Sequence, residues 1–411
     1  MMIDIALLRE NPQAVSVLIN KKDPTFPVNK LLILDEETRE LRASVESLRQ
    51  QKNELAKQAQ SGINESIREQ SKTIGASLKE QETALDKKEL DFKNLLLTCP
   101  NIPREDIPEG NKEENVVVRE WGAKPTFSFP IKHHMDLGQA NKWFDLEAAT
   151  KMSASNFVFY KSEGAKVIYA LAMFMLKHNS RNGFEPVIPP YLATEETLTV
   201  SGNFPKFKDE VFEATKDNLY LIPTSEVCLA NLYRDEILSK EQLPIRMTSW
   251  TSCFRREAGN YGKMERGIIR IHQFEKVELF SICEPENSDK ELEMMVTNAE
   301  GLLQKLGLHY RVSLLAAQDC SFQSAKTYDI EVWLPGQDRY YEVSSASNCT
   351  DFQSRRGKIR YRKEQGGSTH LVHTLNASSL ALPRLMVALL ETYQQADGTI
   401  ALPEVLKNEM F

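Results

Sequence analysis

From Val28 to Leu97 the polar and apolar positions follow a heptad. Leu34, Leu41, Leu48 and Leu55 recur every seven residues, Leu31 and Val45 fall three residues before members of that series, and the seam lapses to Thr38 and Lys52. An a/d stripe of this kind runs along one edge of a single helix. The cluster Ser61-Gly62-Ile63-Asn64 is a turn signal. A second seam passes through Ile67, Ile74, Leu78, Leu85 and Phe92. Two helices of similar length joined by a short turn predict an antiparallel coiled-coil hairpin, with arms of roughly 45–50 Å at 1.5 Å per residue. The same signature fits a dimerisation coil or a helical bundle, and periodicity does not say what the hairpin touches.

After Thr98-Cys99-Pro100 a linker punctuated by Pro103, Pro108 and Gly110 runs to about Pro125. The pattern then becomes mixed. An amphipathic helix is predicted around Val167 to His178, and further helices over Val227 to Ile237, Asn287 to Gly307 and Leu380 to Gln394. Strand-like runs cover Tyr220-Leu221-Ile222, Met247 to Cys253, Val277 to Ile282 and Tyr340 to Ser344. The alternation lacks the even rhythm of βαβ units. The expected fold class is therefore α+β: an N-terminal helical coiled-coil hairpin, then a domain with a mainly antiparallel sheet flanked by helices.

Composition narrows this little. The chain has 411 residues, 41% hydrophobic and 27% charged, which suits two or three globular domains. It has no apolar run long enough to span a membrane, and Met1 to Glu10 lacks a basic segment followed by an apolar one, so no membrane span or secretory signal is expected. Cys99, Cys228, Cys253, Cys283, Cys320 and Cys349 are scattered without a CxxC pair, which argues against a Cys-rich zinc site and a disulfide framework and suits the cytoplasm. A net charge of -7 argues against a general nucleic-acid coat but leaves room for a local basic strip.

Four constellations carry chemistry. Phe254-Arg255-Arg256-Glu257 and Arg266 to Glu278 read as strand, loop and strand, with Gly259, Gly262 and Gly267 in the loop. Arginines at both edges of such a hairpin suit a polyphosphate, because guanidinium binds phosphate oxygens bidentately. Thr224-Ser225-Glu226 offers a hydroxyl and a carboxylate to a small polar ligand, although Thr or Ser before a helix is usually a cap. Glu342-Val343-Ser344-Ser345, with Asp351, Arg355 and Arg356 downstream, places a carboxylate and hydroxyls where Mg²⁺ bridging ATP phosphates could sit. Asn376 to Arg384 is read as opening a helix, whose free N–H groups favour an anion. Each run alone has a bland reading as a surface hairpin, a half-buried strand or a capped core helix.

Together they resemble the class II aminoacyl-tRNA synthetases, and within them the seryl enzymes. The run from Phe254 to Glu278 resembles motif 2, Asn376 to Arg384 resembles motif 3, and Gly183-Phe184-Glu185-Pro186-Val187-Ile188-Pro189-Pro190 resembles motif 1. Thr224-x-Glu226 is similar to the family's serine-contacting loop, and Glu342 to Arg356 to its ATP and metal segment. The likeness runs from Met2-Ile3-Asp4 to Leu402-Pro403. It departs in motif 3: Ala377 and Ser379 replace two glycines, and Pro383 precedes Arg384. A glycine that took φ > 0 there would force the loop to adjust.

The resemblance implies a class II catalytic domain over 111–411 and a tRNA-binding domain over 1–110 carrying the arm. It implies activation of L-serine with ATP to seryl-adenylate, then transfer to the 3′ end of tRNA(Ser), with tRNA(Sec) left open as a second acceptor. Serine binding falls to Thr224, Ser225, Glu226, Glu278 and Ser378. ATP binding falls to Arg255, Arg256, Glu257, Ile271, Phe274, Glu342, Val343, Ser344, Ser345 and Arg384, with Mg²⁺ on Glu342 and Ser345. Arg255 and Arg384 stabilise charge, at the α- and γ-phosphate, and no covalent nucleophile is assigned. Arg384 and Phe274 take opposite faces of the adenine. Motif 1 implies a homodimer, and Lys52, Lys57, Arg68, Lys72 and Lys79 are candidate phosphate contacts on the arm. The alternatives are a non-catalytic tRNA-binding paralogue, an amino acid:carrier-protein ligase, and a class II enzyme for another amino acid. Retention of the arm, of Arg255, Glu257, Glu342 and Arg384, and of the Thr-x-Glu loop argues against them.

Overall fold

The computed structural model describes residues 3–60, 62, 64–257 and 267–411. Met2, Ser61, Ile63 and the motif 2 loop with Gly259, Gly262 and Arg266 lie outside these. Contacts divide the chain into two compact units, Met1–Cys99 and Pro100–Phe411.

The first unit opens with α1 (Ile5–Glu10) and α2 (Pro12–Lys22), followed by the hairpin helices α3 (Val28–Gln60) and α4 (Glu65–Leu97). At 33 residues each, these helices extend about 50 Å. Val45, Leu78 and Leu85 form the seam's buried cluster, with Leu41 and Leu48 packed against it. Thr38, where the heptad lapses, is 3% exposed and donates its hydroxyl to the Leu34 carbonyl at 2.6 Å. The polar residue therefore stays in the seam because its own helix satisfies it. The antiparallel pairing is read off the flanking ion pairs Arg42–Glu89 and Arg49–Glu82. Such exposed pairs fix register more than they stabilise. Asn64 caps α4, accepting from the Ile67 amide at 2.8 Å.

The second unit is built on an eight-stranded sheet. Its strands, in chain order, are β1 (Val116–Trp121), β2 (Glu185–Pro186), β3 (Ile245–Phe254), β4 (Gln273–Cys283), β5 (Tyr310–Leu314), β6 (Lys326–Leu334), β7 (Arg339–Asn348) and β8 (His373–Ala381). Their spatial order is β1-β5-β6-β7-β8-β4-β3-β2. Every pairing is antiparallel except β2 with β3. Helices α5 (Ser162–Arg181), α6 (Ser288–Lys305) and α7 (Leu382–Thr392) supply apolar residues to the main core together with sheet residues such as Val277, Leu279, Ile330 and Leu375. Side chains alternate along β4. Val277 and Leu279 enter that core, whereas Phe280 and Ile282 join a separate cluster with Leu229, Leu238 and Tyr361. The same alternation carries Phe274, Lys276 and Glu278 to the face opposite the helices.

Two expected elements differ. The helix predicted over Val227 to Ile237 is a single turn, Glu226–Leu229. Asp235 takes a left-handed φ of 65°, and the chain turns to pair Ile237–Ser239 in parallel with Arg360–Arg362. The motif 3 run does not open a helix at Asn376. Asn376 to Ala381 belongs to β8, and the helix begins at Leu382 with Pro383 and Arg384 in its first turn. Ladder bonds to β4 on one side and β7 on the other override helix propensity there. Among the described residues, no helix is long and apolar enough to cross a membrane.

Candidate active site

A cleft opens on the face of β4 away from the helices. Arg255, Glu257, Ile271, Phe274, Lys276, Glu342, Val343, Ser378 and Arg384 line it. Segments from across the sequence converge there because β3, β4, β8 and β7 are successive neighbours.

Two bulges set which side chains face the cleft. On β8, Leu380 pairs with Val277 and Ser378 with Glu278, so Ser379 is the extra residue. The bulge resets the alternation. Ser378 therefore stands opposite Glu278, and Ala381 opposite Lys276. On β7, Ser344 pairs with Ile330 and Glu342 with Glu331, leaving Val343 as the extra residue. Glu342 and Ser345, three apart, thus share a face with Glu331 and Asp329. Ala377 and Ser379 are both fully buried, and neither has a positive φ. Neither residue therefore needs the left-handed conformation that would favour glycine. The Ser379 hydroxyl exchanges hydrogen bonds with Asn179 at 3.0 and 3.2 Å.

At the inner end, Lys276 Nζ donates to Thr224 Oγ1 at 2.8 Å and pairs with the Glu278 carboxylate. Thr224 Oγ1 also donates to Glu278 Oε2 at 3.1 Å. Glu226 is held differently. Its Oε1 accepts from Gln353 Nε2 at 2.8 Å, Asn376 Nδ2 at 3.0 Å and Gln323 Nε2 at 3.4 Å. These donors are neutral amides. Burial first, and the Glu278 charge second, push the Glu226 carboxyl up to about 7. Burial also raises Glu278, against the opposing charge and hydrogen bond of Lys276.

At the outer end, Arg255 donates through Nε to the Pro223 carbonyl at 3.3 Å, and its guanidinium lies 5.2 Å from the Phe274 ring. Arg384 Nη1 lies 3.0 Å from the Glu342 carbonyl and 3.3 Å from its Oε2, with the guanidinium 5.2 Å from the Tyr341 ring. Burial raises the Glu342 carboxyl, but the charges of Arg384, Arg255 and Lys112 outweigh it and hold the group below its ordinary value. Beside it, Asp329 hydrogen-bonds Ser345, while its Oδ1 is buried with no partner. Burial and the Glu342 charge raise Asp329 well above its ordinary value. Glu257 adopts φ 53° and pairs with Arg270. Gly267, where the motif 2 segment re-enters, has φ 102°, and a Cβ there would meet His134 Nε2 at 2.2 Å. Only glycine fits.

Three expected site side chains stand elsewhere. Ser225 is fully buried and accepts from Ser249 Oγ at 2.7 Å. Arg256 is exposed, with its guanidinium 5.9 Å over Phe212. Ser344 donates to the Ser378 carbonyl at 2.5 Å, so it supports the strand carrying Ser378. Sequence reasoning gave no role to Lys276, Asn376 or Gln353. For Lys276 a signal existed: it lies two residues before Glu278, in phase on one strand face.

The family description "Seryl-tRNA synthetase N-terminal domain" matches residues 2–103, and "tRNA synthetase class II core domain (G, H, P, S and T)" matches residues 206–393. The chain is 43% identical to serine–tRNA ligase 2 of Clostridium acetobutylicum, covering 99% of this chain and 98% of that protein. It is 44% identical to serine–tRNA ligase of Nitratidesulfovibrio vulgaris, over 100% and 98% of the two chains. It is similar to the crystal structure of seryl-tRNA synthetase from Pyrococcus horikoshii complexed with ATP, at a TM-score of 0.93 and 35% identity, covering 99% of this chain and 98% of that one. With the arm, the antiparallel sheet and the convergent cleft in place, the chain belongs to the seryl-tRNA synthetase family of class II aminoacyl-tRNA synthetases.

Proposed function

We propose that the protein is a serine–tRNA ligase, which activates L-serine with ATP and transfers it from seryl-adenylate to the 3′ end of tRNA(Ser). One observation carries the reading. A buried cluster of two carboxylates, a hydroxyl and a lysine lies beside a cleft bearing two arginines and a half-exposed carboxylate. The cluster suits a small ligand with an ammonium and a hydroxyl, and the cleft suits a triphosphate.

Thr224, Glu226, Glu278 and Ser378 take the serine. Arg255 takes the α-phosphate and Arg384 the γ-phosphate, while Phe274 and Arg384 flank the adenine and Glu257 meets its ribose or base. Catalysis rests on positioning and charge stabilisation, with no side-chain nucleophile. Glu342 and Ser345 would hold Mg²⁺. The fit is supported by a carboxylate kept charged beside two arginines and by the orphaned Asp329 Oδ1 next to Ser345. The metal would supply positive charge to offset that of the triphosphate.

The protein acts as a homodimer in the cytoplasm. An apolar groove lined by Tyr169, Pro186, Val187, Ile188 and Trp250 supports the dimer, with Ile188 89% exposed. Residues 1–110 bind tRNA through the arm and residues 111–411 form the catalytic domain, with tRNA(Sec) as a further acceptor to test. Lys52, Lys57, Arg68, Lys72 and Lys79 are all exposed on the hairpin. The test is serine-dependent exchange of labelled pyrophosphate into ATP, with threonine, alanine and glycine in parallel. Exchange driven by serine alone is expected. None with any amino acid from a folded protein would favour a tRNA-binding paralogue.

A further inference from the structure

We propose that Lys276 is a positioning residue for amino-acid activation: its ammonium holds Glu278 directly, and through Thr224 the loop that carries Glu226, as acceptors for the donors of serine. The inference rests on the serine–tRNA ligase reading and deepens it.

Lys276 is 6% exposed, and the described structure gives it two partners, Thr224 Oγ1 at 2.8 Å and the Glu278 carboxylate. Thr224 and Glu278 also bond each other, closing a three-membered ring of contacts. The lysine reaches both because alternation along β4 puts positions 276 and 278 on one face, and the Ser379 bulge brings Ser378 opposite Glu278. A buried lysine held by these two groups exceeds what packing needs, since a hydrophobic residue would fill the position without burying a charge.

The chemical consequence concerns Glu278. The carboxylate is 1% exposed, and the charged or titratable groups around it are Lys276 on its own strand, Glu226 on the neighbouring helical turn, Cys253 on β3 and Arg255 just past the end of β3. An ionised carboxylate is an acceptor only, which suits a ligand bringing an ammonium and a hydroxyl. A protonated one donates and leaves a ligand donor unpaired. Lys276 is the cation in direct contact with it and opposes the burial that favours the protonated form. Through Thr224 it also constrains the loop that carries Glu226, whose amide donates to Thr224 Oγ1 at 3.2 Å.

The test uses the full chain in pyrophosphate exchange, with serine and ATP varied separately from pH 5.5 to about 9. In K276M the KM for serine should rise about 100-fold while that for ATP changes less than about threefold. The acid limb of kcat/KM for serine should move up by about one pH unit, as Glu278 loses its cation. K276R should recover at least about tenfold of the loss, because the charge returns. K276Q, which keeps a donor to Thr224 without the charge, carries the same expectation if K276M does not fold. A serine KM within about threefold of the parent, or equal rises for serine and ATP with the acid limb unmoved, would overturn the proposal. Absence of serine-dependent exchange in the parent chain itself would instead sink the ligase reading.

Discussion

Glu278 on β4 and Ser378 on β8 stand directly opposite each other, and the bulge that aligns them falls on Ser379. A glycine is often used at such a position, yet this chain keeps the bulge with a serine whose hydroxyl is tied to Asn179. Removing that hydroxyl with S379A should cost about 1 kcal/mol of stability, because Asn179 keeps its bonds to Thr248 and Asn298. The serine KM should change less than about threefold, since the backbone, not the hydroxyl, sets the register. Chemical denaturation and exchange kinetics check both.

Glu226 gives a pH prediction. Its folded value, about 7, lies above the ordinary value of about 4.3. The native state therefore holds the proton more tightly. That contribution is fully present below the unfolded value and is lost as the pH rises through 7. E226Q should flatten this decline, making the stability difference between pH 5 and pH 8 smaller by about 1–3 kcal/mol. Thermal melts of both proteins at the two pH values measure it.

Glu342 faces Ser345 and Asp329 across the β7 bulge. E342Q should raise the Mg²⁺ concentration for half-maximal exchange at least about tenfold. The serine KM at saturating Mg²⁺ should change much less. A magnesium titration of exchange activity reads this directly, and an unshifted curve would remove Glu342 from the metal site.

Ile188 is 89% exposed beside the apolar groove. In I188D, a charge facing that groove should weaken self-association by about 2 kcal/mol or more. Sedimentation velocity across a concentration series should show the parent as a dimer and the variant dissociating.

The arm's basic residues should matter for one half-reaction only. Replacing Lys52, Lys57, Arg68, Lys72 and Lys79 together by glutamine should lower kcat/KM for tRNA charging at least about tenfold and flatten its salt dependence. Serine-dependent pyrophosphate exchange should stay within about twofold, because that step needs no tRNA.

The sequence by itself determined the long hairpin, the α+β class and most of the chemical groups of the cleft. Heptad spacing and strand alternation are local, so Leu34, Val45 and Leu85 could be placed in a seam without knowing what else they touch. Arg255, Glu342 and Arg384 were legible because their residue types carry the chemistry wherever the backbone puts them.

What only the tertiary structure decided depends on partner strands. The phase of alternation in β7 and β8 is reset at Val343 and Ser379, and a bulge is defined by the strand opposite it. This is why Ser344 turns away from the cleft while Ser378 turns toward it. The amide cage of Glu226 draws on Gln323, Gln353 and Asn376, roughly a hundred or more positions away in sequence. The contact of Lys276 with Thr224 likewise joins segments 52 residues apart. Burial and those long-range hydrogen bonds set the charge state of the pocket, and neither exists until the sheet has assembled.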